Sequence, residues 1–224
     1  MSNAARPTFH EAIEIWEHFF MAHNVMSLNT EALVEYFRRI CFPGELAFQY
    51  LQAVSSGERR NEVKDGVDLE VNRLTLNYLA SVATLVDISR NTISHYAGTA
   101  TASEYDDRVA SIRGRGLGPL LMRLRAHVLH HEHLPWATRV YFGNEGRLLD
   151  IVVRRDELLA YKDMRGPARR YLESLDSNVP FIDLVIDYGR EAGELNAWLW
   201  TQMANLHREL KPAESSEPRG GQLT

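Results

Sequence analysis

The sequence is short of several residue types, and each shortage excludes a class of protein. Its single cysteine, Cys41, excludes an intramolecular disulfide bond and predicts a cytoplasmic protein in a reducing compartment. No run of about 18 consecutive apolar residues occurs, so no transmembrane helix is expected. The apolar stretch near the N-terminus is interrupted by Glu11, Glu14 and Glu17, so we expect no signal peptide.

Lysine is also scarce, and almost all of the positive charge is carried by arginine. The formal net charge is −5, which excludes a protein that coats nucleic acid through a generally basic surface. Only three of the 25 basic residues are lysines, which leaves 22 arginines. Arginine can donate two parallel hydrogen bonds to a phosphate group, so the positions of these arginines are informative.

The composition is that of an ordinary folded protein. Hydrophobic residues make up 45% and charged residues 25% of 224 residues, which excludes a disordered or collagen-like chain. We expect a single helical domain over residues 1–211. The polar segment 212–224, PAESSEPRGGQLT, predicts a disordered tail.

Apolar residues at helical spacing predict an all-α fold, a helical bundle with two long helices. The first long helix runs from Val67 to about Tyr96, where no glycine or proline interrupts the pattern. The second runs from Val179 to about Leu210. A shorter helix is expected to begin at Asn29 or Thr30, which are plausible N-caps. The other short helices are predicted at 9–22, 43–54, 120–131, 156–160 and 168–175.

One segment predicts β-structure. Residues 137–142 and 148–153 are rich in Val, Ile, Tyr and Phe, and they flank the sequence Gly143-Asn144-Glu145-Gly146. This pattern is typical of a β-hairpin, here expected at about 137–153.

The stretch that points to chemistry is residues 108–131, RVASIRGRGLGPLLMRLRAHVLHH, which contains no Asp or Glu. A group of cations without acids attracts an anion such as phosphate. The alternative is that these arginines point separately into solvent and pair with acids elsewhere. The candidate phosphate- or RNA-binding residues in this stretch are Arg113, Arg115, Arg123 and His127.

Within this stretch, Arg125 and His130 are separated by four residues on a helix that follows a Gly/Pro break. The wider pattern, Leu124-Arg125-x-x-x-Leu129-His130-His131-x-x-Leu134-Pro135, resembles the HEPN superfamily. HEPN proteins are helical bundles, often bacterial toxins or phage-defence proteins, and many are ribonucleases. The resemblance implies a HEPN-like fold, a homodimer whose subunits form the cleft between them, and an antitoxin or regulator protein as partner.

The resemblance also implies a chemistry, that of a metal-independent endoribonuclease. Arg125 would bind and polarise a phosphate of RNA, and His130 would be the acid/base that accepts the ribose 2′-hydroxyl proton. The product is a 2′,3′-cyclic phosphate, and no metal or cofactor is needed. On a helix these two residues lie roughly 140° apart, whereas Arg123, His127 and His130 lie within about 60° of one another.

Four alternatives to a ribonuclease stay open. In HEPN proteins the residue after the arginine is usually polar, and inactive relatives act as binding modules. Since Ala126 occupies this position, a non-catalytic nucleotide-, RNA- or protein-binding module is the main alternative. The histidines before Pro135 are also explained as helix caps, and His127 with His131 as a metal site. Residues 82–94 resemble a bacterial helix-turn-helix, in which Thr92 and Ser94 would contact DNA.

Overall fold

The computed structural model describes residues 7–58, 60–130, 134–141 and 146–210. The predicted tail 212–224, His131 and residues 143–145 of the predicted hairpin turn lie outside the described residues. None of the described helices is long and apolar enough to cross a bilayer. In chain order the elements are α1 Phe9–Cys41, α2 Glu45–Ser55, α3 Glu62–Ser94, α4 Ala100–Arg115, α5 Leu117–His130, β1 Trp136–Val140, β2 Leu149–Arg154, α6 Arg155–Leu159, α7 Gly166–Glu173, β3 Asn178–Pro180 and α8 Phe181–Leu210.

Three long helices, not two, form the centre of the helical bundle. Helix α1 packs against both α3 and α8, and it continues through Asn29 and Thr30, where a new helix was expected. The Asn29 amide donates to the carbonyl of Val25 at 3.0 Å, and the Thr30 hydroxyl donates to that of Met26 at 2.8 Å. Because both side chains bond to the preceding turn instead of capping a following one, the helix is not interrupted.

The continuous helix α3 is incompatible with a helix-turn-helix at residues 82–94. A helix-turn-helix needs a turn at Asp87, but α3 is helical from Glu62 through Asp87 to Ser94. Thr92, which would contact DNA, is 2% exposed and belongs to the core. The apolar spacing of this segment therefore reflects one continuous helix, and Thr92 is not available to a DNA groove.

The small sheet contains the predicted hairpin strands and a strand that was not predicted. β1 and β2 pair antiparallel, with Thr138 opposite Ile151. β3 pairs antiparallel with the other edge of β2, and it includes Val179, which was expected to begin the last helix. Pro180 is tolerated because β3 is an edge strand. The long helix α8 therefore begins at Phe181, directly after the strand.

The turn between α4 and α5 positions the helix that carries the predicted motif. Helix α4 continues through Gly114, and the chain reverses at Gly116, whose φ of 96° and ψ of −16° are left-handed. A Cβ atom on Gly116 would lie 2.6 Å from the carbonyl oxygen of Pro167 and 2.7 Å from Cβ of Tyr171. Only glycine allows this approach, which brings α5 against α7.

We predict that Gly116→Ala lowers the free energy of unfolding by about 3 kcal/mol, since it combines a left-handed alanine with a clash against backbone. Gly114→Ala is the matched control, because a Cβ atom there meets nothing within 4 Å. It should raise the free energy of unfolding by about 0.5–1 kcal/mol, as alanine favours the helix. Urea unfolding of both variants measures this, and equal effects would contradict the role assigned to Gly116.

Candidate functional site

A cavity of 580 Å³ lies between α3, α4, α5 and α8, and Pro167 of α7 also lines it. Its volume is in the range of pockets that bury most of a small-molecule ligand. Because Pro167 is also the residue that Gly116 approaches, the turn between α4 and α5 lies beside this cavity.

Four arginines line this space, here called the arginine cavity: Arg90 of α3, Arg113 of α4, and Arg123 and Arg125 of α5. Among the described residues that line it, none is Asp, Glu or His. Arg90 and Arg113 are exposed, whereas Arg123 and Arg125 are half-buried. Positive side chains therefore surround a space without a negative one, and the field inside favours an anion.

Three of these arginines have no carboxylate partner among the described residues. Arg90 reaches Asp87 at 3.5 Å, a weak pair at an exposed position. Within the described parts of the chain, no carboxylate pairs with Arg113, Arg123 or Arg125, although arginines elsewhere pair with acids one helical turn away. The Nε atom of Arg125 is buried and has no hydrogen-bond partner there. Unpaired guanidinium groups at a cavity are available to a ligand.

Helix α5 brings two of these arginines to the cavity because one of its faces packs in the core and another face lines the cavity. Leu124 is fully buried in the core, while Met122 and Ala126, four residues apart, line the cavity. Residues at this spacing share one face of a helix. Arg123 and Arg125 lie next to these lining residues, so their long side chains reach the same space.

Two tyrosines add hydrogen-bond donors to the cavity. Burial raises the pKa of Tyr188 to about 12. Burial also raises the pKa of Tyr105, although Arg90 and Arg113 act in the opposite direction. Both hydroxyls therefore keep their protons at neutral pH and can donate to an anion.

Three of the four arginines singled out in the sequence line the cavity, and the fourth lies elsewhere. Arg113, Arg123 and Arg125 come together at the cavity. Arg115 does not line it, because its guanidinium group pairs with the Glu191 carboxylate at 3.1 Å. Glu191 is only 14% exposed, so this pair fixes Arg115 against α8.

Neither predicted histidine lines the arginine cavity. His127 is 9% exposed, and its ring stacks on that of Tyr161 with 3.7 Å between centroids and 11° between planes. His130 is exposed at the last residue of α5, so both histidines lie at the helix end that favours positive charge. Arg125 therefore lines the arginine cavity and His130 does not.

Four residues that line the cavity were not predicted from the sequence. They come from three other helices and share no sequence motif, and they are Arg90, Tyr105, Tyr188 and Asn196.

Among the described residues, no group of three or more His, Cys, Asp or Glu side chains is placed to hold a metal ion. The alternative metal pair of His127 and His131 includes a residue outside the described ones.

We predict that Arg125→Met raises the free energy of unfolding of the ligand-free protein by about 1 kcal/mol. The substitution removes a buried unpaired donor and one of four neighbouring charges but keeps an unbranched side chain. Arg115→Met is the matched control, and it should lower the free energy of unfolding by about 1–2 kcal/mol because it leaves Glu191 unpaired. An equal loss in both variants, measured by urea unfolding, would show that Arg125 has a structural role.

No family model, curated protein or solved structure matches this chain. The mostly helical fold with a small antiparallel sheet is the part of the fold prediction that the structure confirms. The HEPN resemblance rests on residues 124–135 and stays a prediction, so the function of the cavity is inferred from its own residues.

Proposed function

We propose that this protein is a helical binding module that takes a ligand with phosphate-type negative charge into the arginine cavity. The observation that carries this proposal is a cavity of 580 Å³ at which, in the part of the chain that the structure describes, three arginines have no carboxylate partner and no acid contributes to the lining. An arginine at the surface normally does not destabilise the folded protein, because water solvates its charge and nearby acids pair with it. Four arginines around one cavity repel one another, and a bound anion is the simplest way to relieve that repulsion.

The number of arginines favours a ligand with more than one negative charge. A carboxylate is matched by a single guanidinium group, whereas phosphate and diphosphate offer more oxygens and more charge. The hydroxyls of Tyr105 and Tyr188 supply further donors in the same space. Such charge-assisted hydrogen bonds are strongest where water is partly excluded, as it is around the buried Nε atom of Arg125.

The ribonuclease hypothesis makes a separate proposal about the same helix. Arg125 lies at the arginine cavity and His130 is exposed outside it. The HEPN resemblance implies that a second copy of the chain completes a cleft that uses both residues. The HEPN-like fold, the homodimer, the RNA substrate, the antitoxin or regulator and the cytoplasmic location all stay predictions.

We predict that inorganic pyrophosphate binds the wild-type protein and raises its melting temperature. Arg123→Gln and Arg125→Gln should each weaken binding about 10-fold or more, since each removes charge-assisted hydrogen bonds. Arg73→Gln is the matched control, because Arg73 lies on an exposed part of α3 and pairs with Glu70 at 2.6 Å. Isothermal titration calorimetry in low salt measures the dissociation constants.

The control distinguishes a site from general charge attraction. If all three Arg→Gln variants weaken pyrophosphate binding equally, the anion is attracted by overall charge and the arginine cavity is not its site. If wild-type protein binds no pyrophosphate and no melting shift occurs, the proposal is wrong.

For the ribonuclease hypothesis, we predict that the wild-type chain cuts RNA, but not DNA, with EDTA present. Arg125→Ala and His130→Ala should each abolish cutting, since one removes the phosphate ligand and the other the acid/base. Gel analysis of cleaved RNA and of its 2′,3′-cyclic phosphate ends measures this. If no RNA is cut while pyrophosphate binds, the ribonuclease hypothesis fails and the binding module stands.

A further inference from the structure

The lining of the arginine cavity is mostly apolar, in contrast to its charged arginines. Aliphatic side chains from four helices form much of it, namely Leu85, Val86, Val109, Ile112, Met122 and Leu195. A site for a free inorganic anion needs no such surface, because a small anion is satisfied by its donors alone. The cavity therefore has room and chemistry for an apolar body attached to the anionic group.

Besides the two tyrosines, two neutral polar side chains line the cavity, and each already has a hydrogen-bond partner. The Ser89 hydroxyl donates to the carbonyl of Leu85 at 2.7 Å. The Asn196 amide nitrogen lies 3.2 Å from Nδ1 of His23 on α1. A nucleobase placed here would give up water at its ring nitrogens and exocyclic groups for few new hydrogen bonds. A hydrocarbon body loses nothing in this way.

The residues that line the cavity differ in depth. Arg90 and Arg113 are exposed, so they mark the side of the cavity that opens to solvent. Leu85, Tyr105 and Tyr188 are 3%, 4% and 7% exposed, so they belong to the interior. Arg123, Arg125 and most of the aliphatic side chains are half-buried between these two levels, so a matching ligand has negative charge that reaches from the opening to Arg125 and an apolar part beside it.

We infer that the ligand is an amphiphile, a single hydrocarbon chain that ends in a phosphate or diphosphate headgroup. This inference rests on the proposed function and specifies its ligand class. The arginines hold the headgroup, and the apolar lining between α3, α4, α5 and α8 holds the chain. A fatty acid has the same chain but only one negative charge, so it matches four arginines less well.

The test compares octyl phosphate, which carries both parts of the expected ligand, with probes that lack one of those parts. Octyl phosphate, used below its critical micelle concentration, carries both parts; inorganic phosphate carries the headgroup, octanoate a singly charged chain, and AMP a nucleobase. We expect octyl phosphate to bind at least 10-fold more tightly than each of the other three in calorimetry. Octyltrimethylammonium has the same chain with a positive charge, and it should not bind.

One substitution tests how the cavity binds the hydrocarbon chain separately from how the arginines bind the headgroup. Ala126 lines the cavity on α5 and is half-buried, so Ala126→Phe should fill part of the space while all four arginines remain. We expect it to weaken octyl phosphate binding at least about 5-fold more than it weakens pyrophosphate binding, because the added ring occupies the space of the hydrocarbon chain. Ala110→Phe on the exposed face of α4 is the matched control and should change neither. Thermal unfolding of each variant checks that it is folded.

The outcomes separate this inference from the proposed function. If AMP binds as tightly as octyl phosphate, or if octyl phosphate binds no better than inorganic phosphate, the amphiphile is wrong while anion binding stands. Equal weakening of octyl phosphate and pyrophosphate by Ala126→Phe would also overturn it. If no probe binds, the proposed function fails and this inference fails with it.

Discussion

The close approach of Gly116 to the backbone of Pro167 is the constraint on which the candidate site depends. A left-handed turn without a side chain lets α4 and α5 meet at a short connection, and it lets α5 pack against α7. Pro167 also lines the cavity, so the same contact that reverses the chain determines one part of the site. If α5 were displaced here, Arg123 and Arg125 would no longer face Arg90 across one space.

The arginine cavity is a place where the sequence departs from what stability alone would favour. Elsewhere on these helices arginines pair with carboxylates one turn away, and the core is filled by apolar side chains. Within the described parts of the chain, three of the four cavity arginines lack such partners, one buried donor is unsatisfied, and the space between the helices is not filled. Natural proteins keep unfavourable arrangements of this kind mainly at functional sites, because the ligand completes the missing interactions. The cavity is thus better explained by binding than by packing.

Much of the helical architecture was predictable from the sequence, and the errors have identifiable physical causes. The uninterrupted apolar spacing of residues 67–96 predicted α3, and the Val- and Ile-rich runs predicted the pairing of β1 with β2. The sequence predicts Asn29 and Thr30 as N-caps because such side chains can bond to the backbone of the following turn. They can equally bond to the preceding turn, and in the folded helix they do so. The strand β3 was not predicted because three residues are too few to show an alternation of apolar and polar side chains. Their extended conformation depends on hydrogen bonding to the edge of β2 that β1 leaves unpaired.

The sequence by itself determined the helical class, the acid-free window of residues 108–131 and the presence there of arginines suited to phosphate. Only the tertiary structure decided which of those arginines share a site. Arg113, Arg123 and Arg125 join Arg90 at one cavity, while Arg115 turns to Glu191 and His130 stays outside. The physical reason is that a helix fixes the direction of each side chain, but the neighbours it meets depend on how helices distant in the chain pack against it. Charge content is a local property of the chain, whereas a site is a property of the packing.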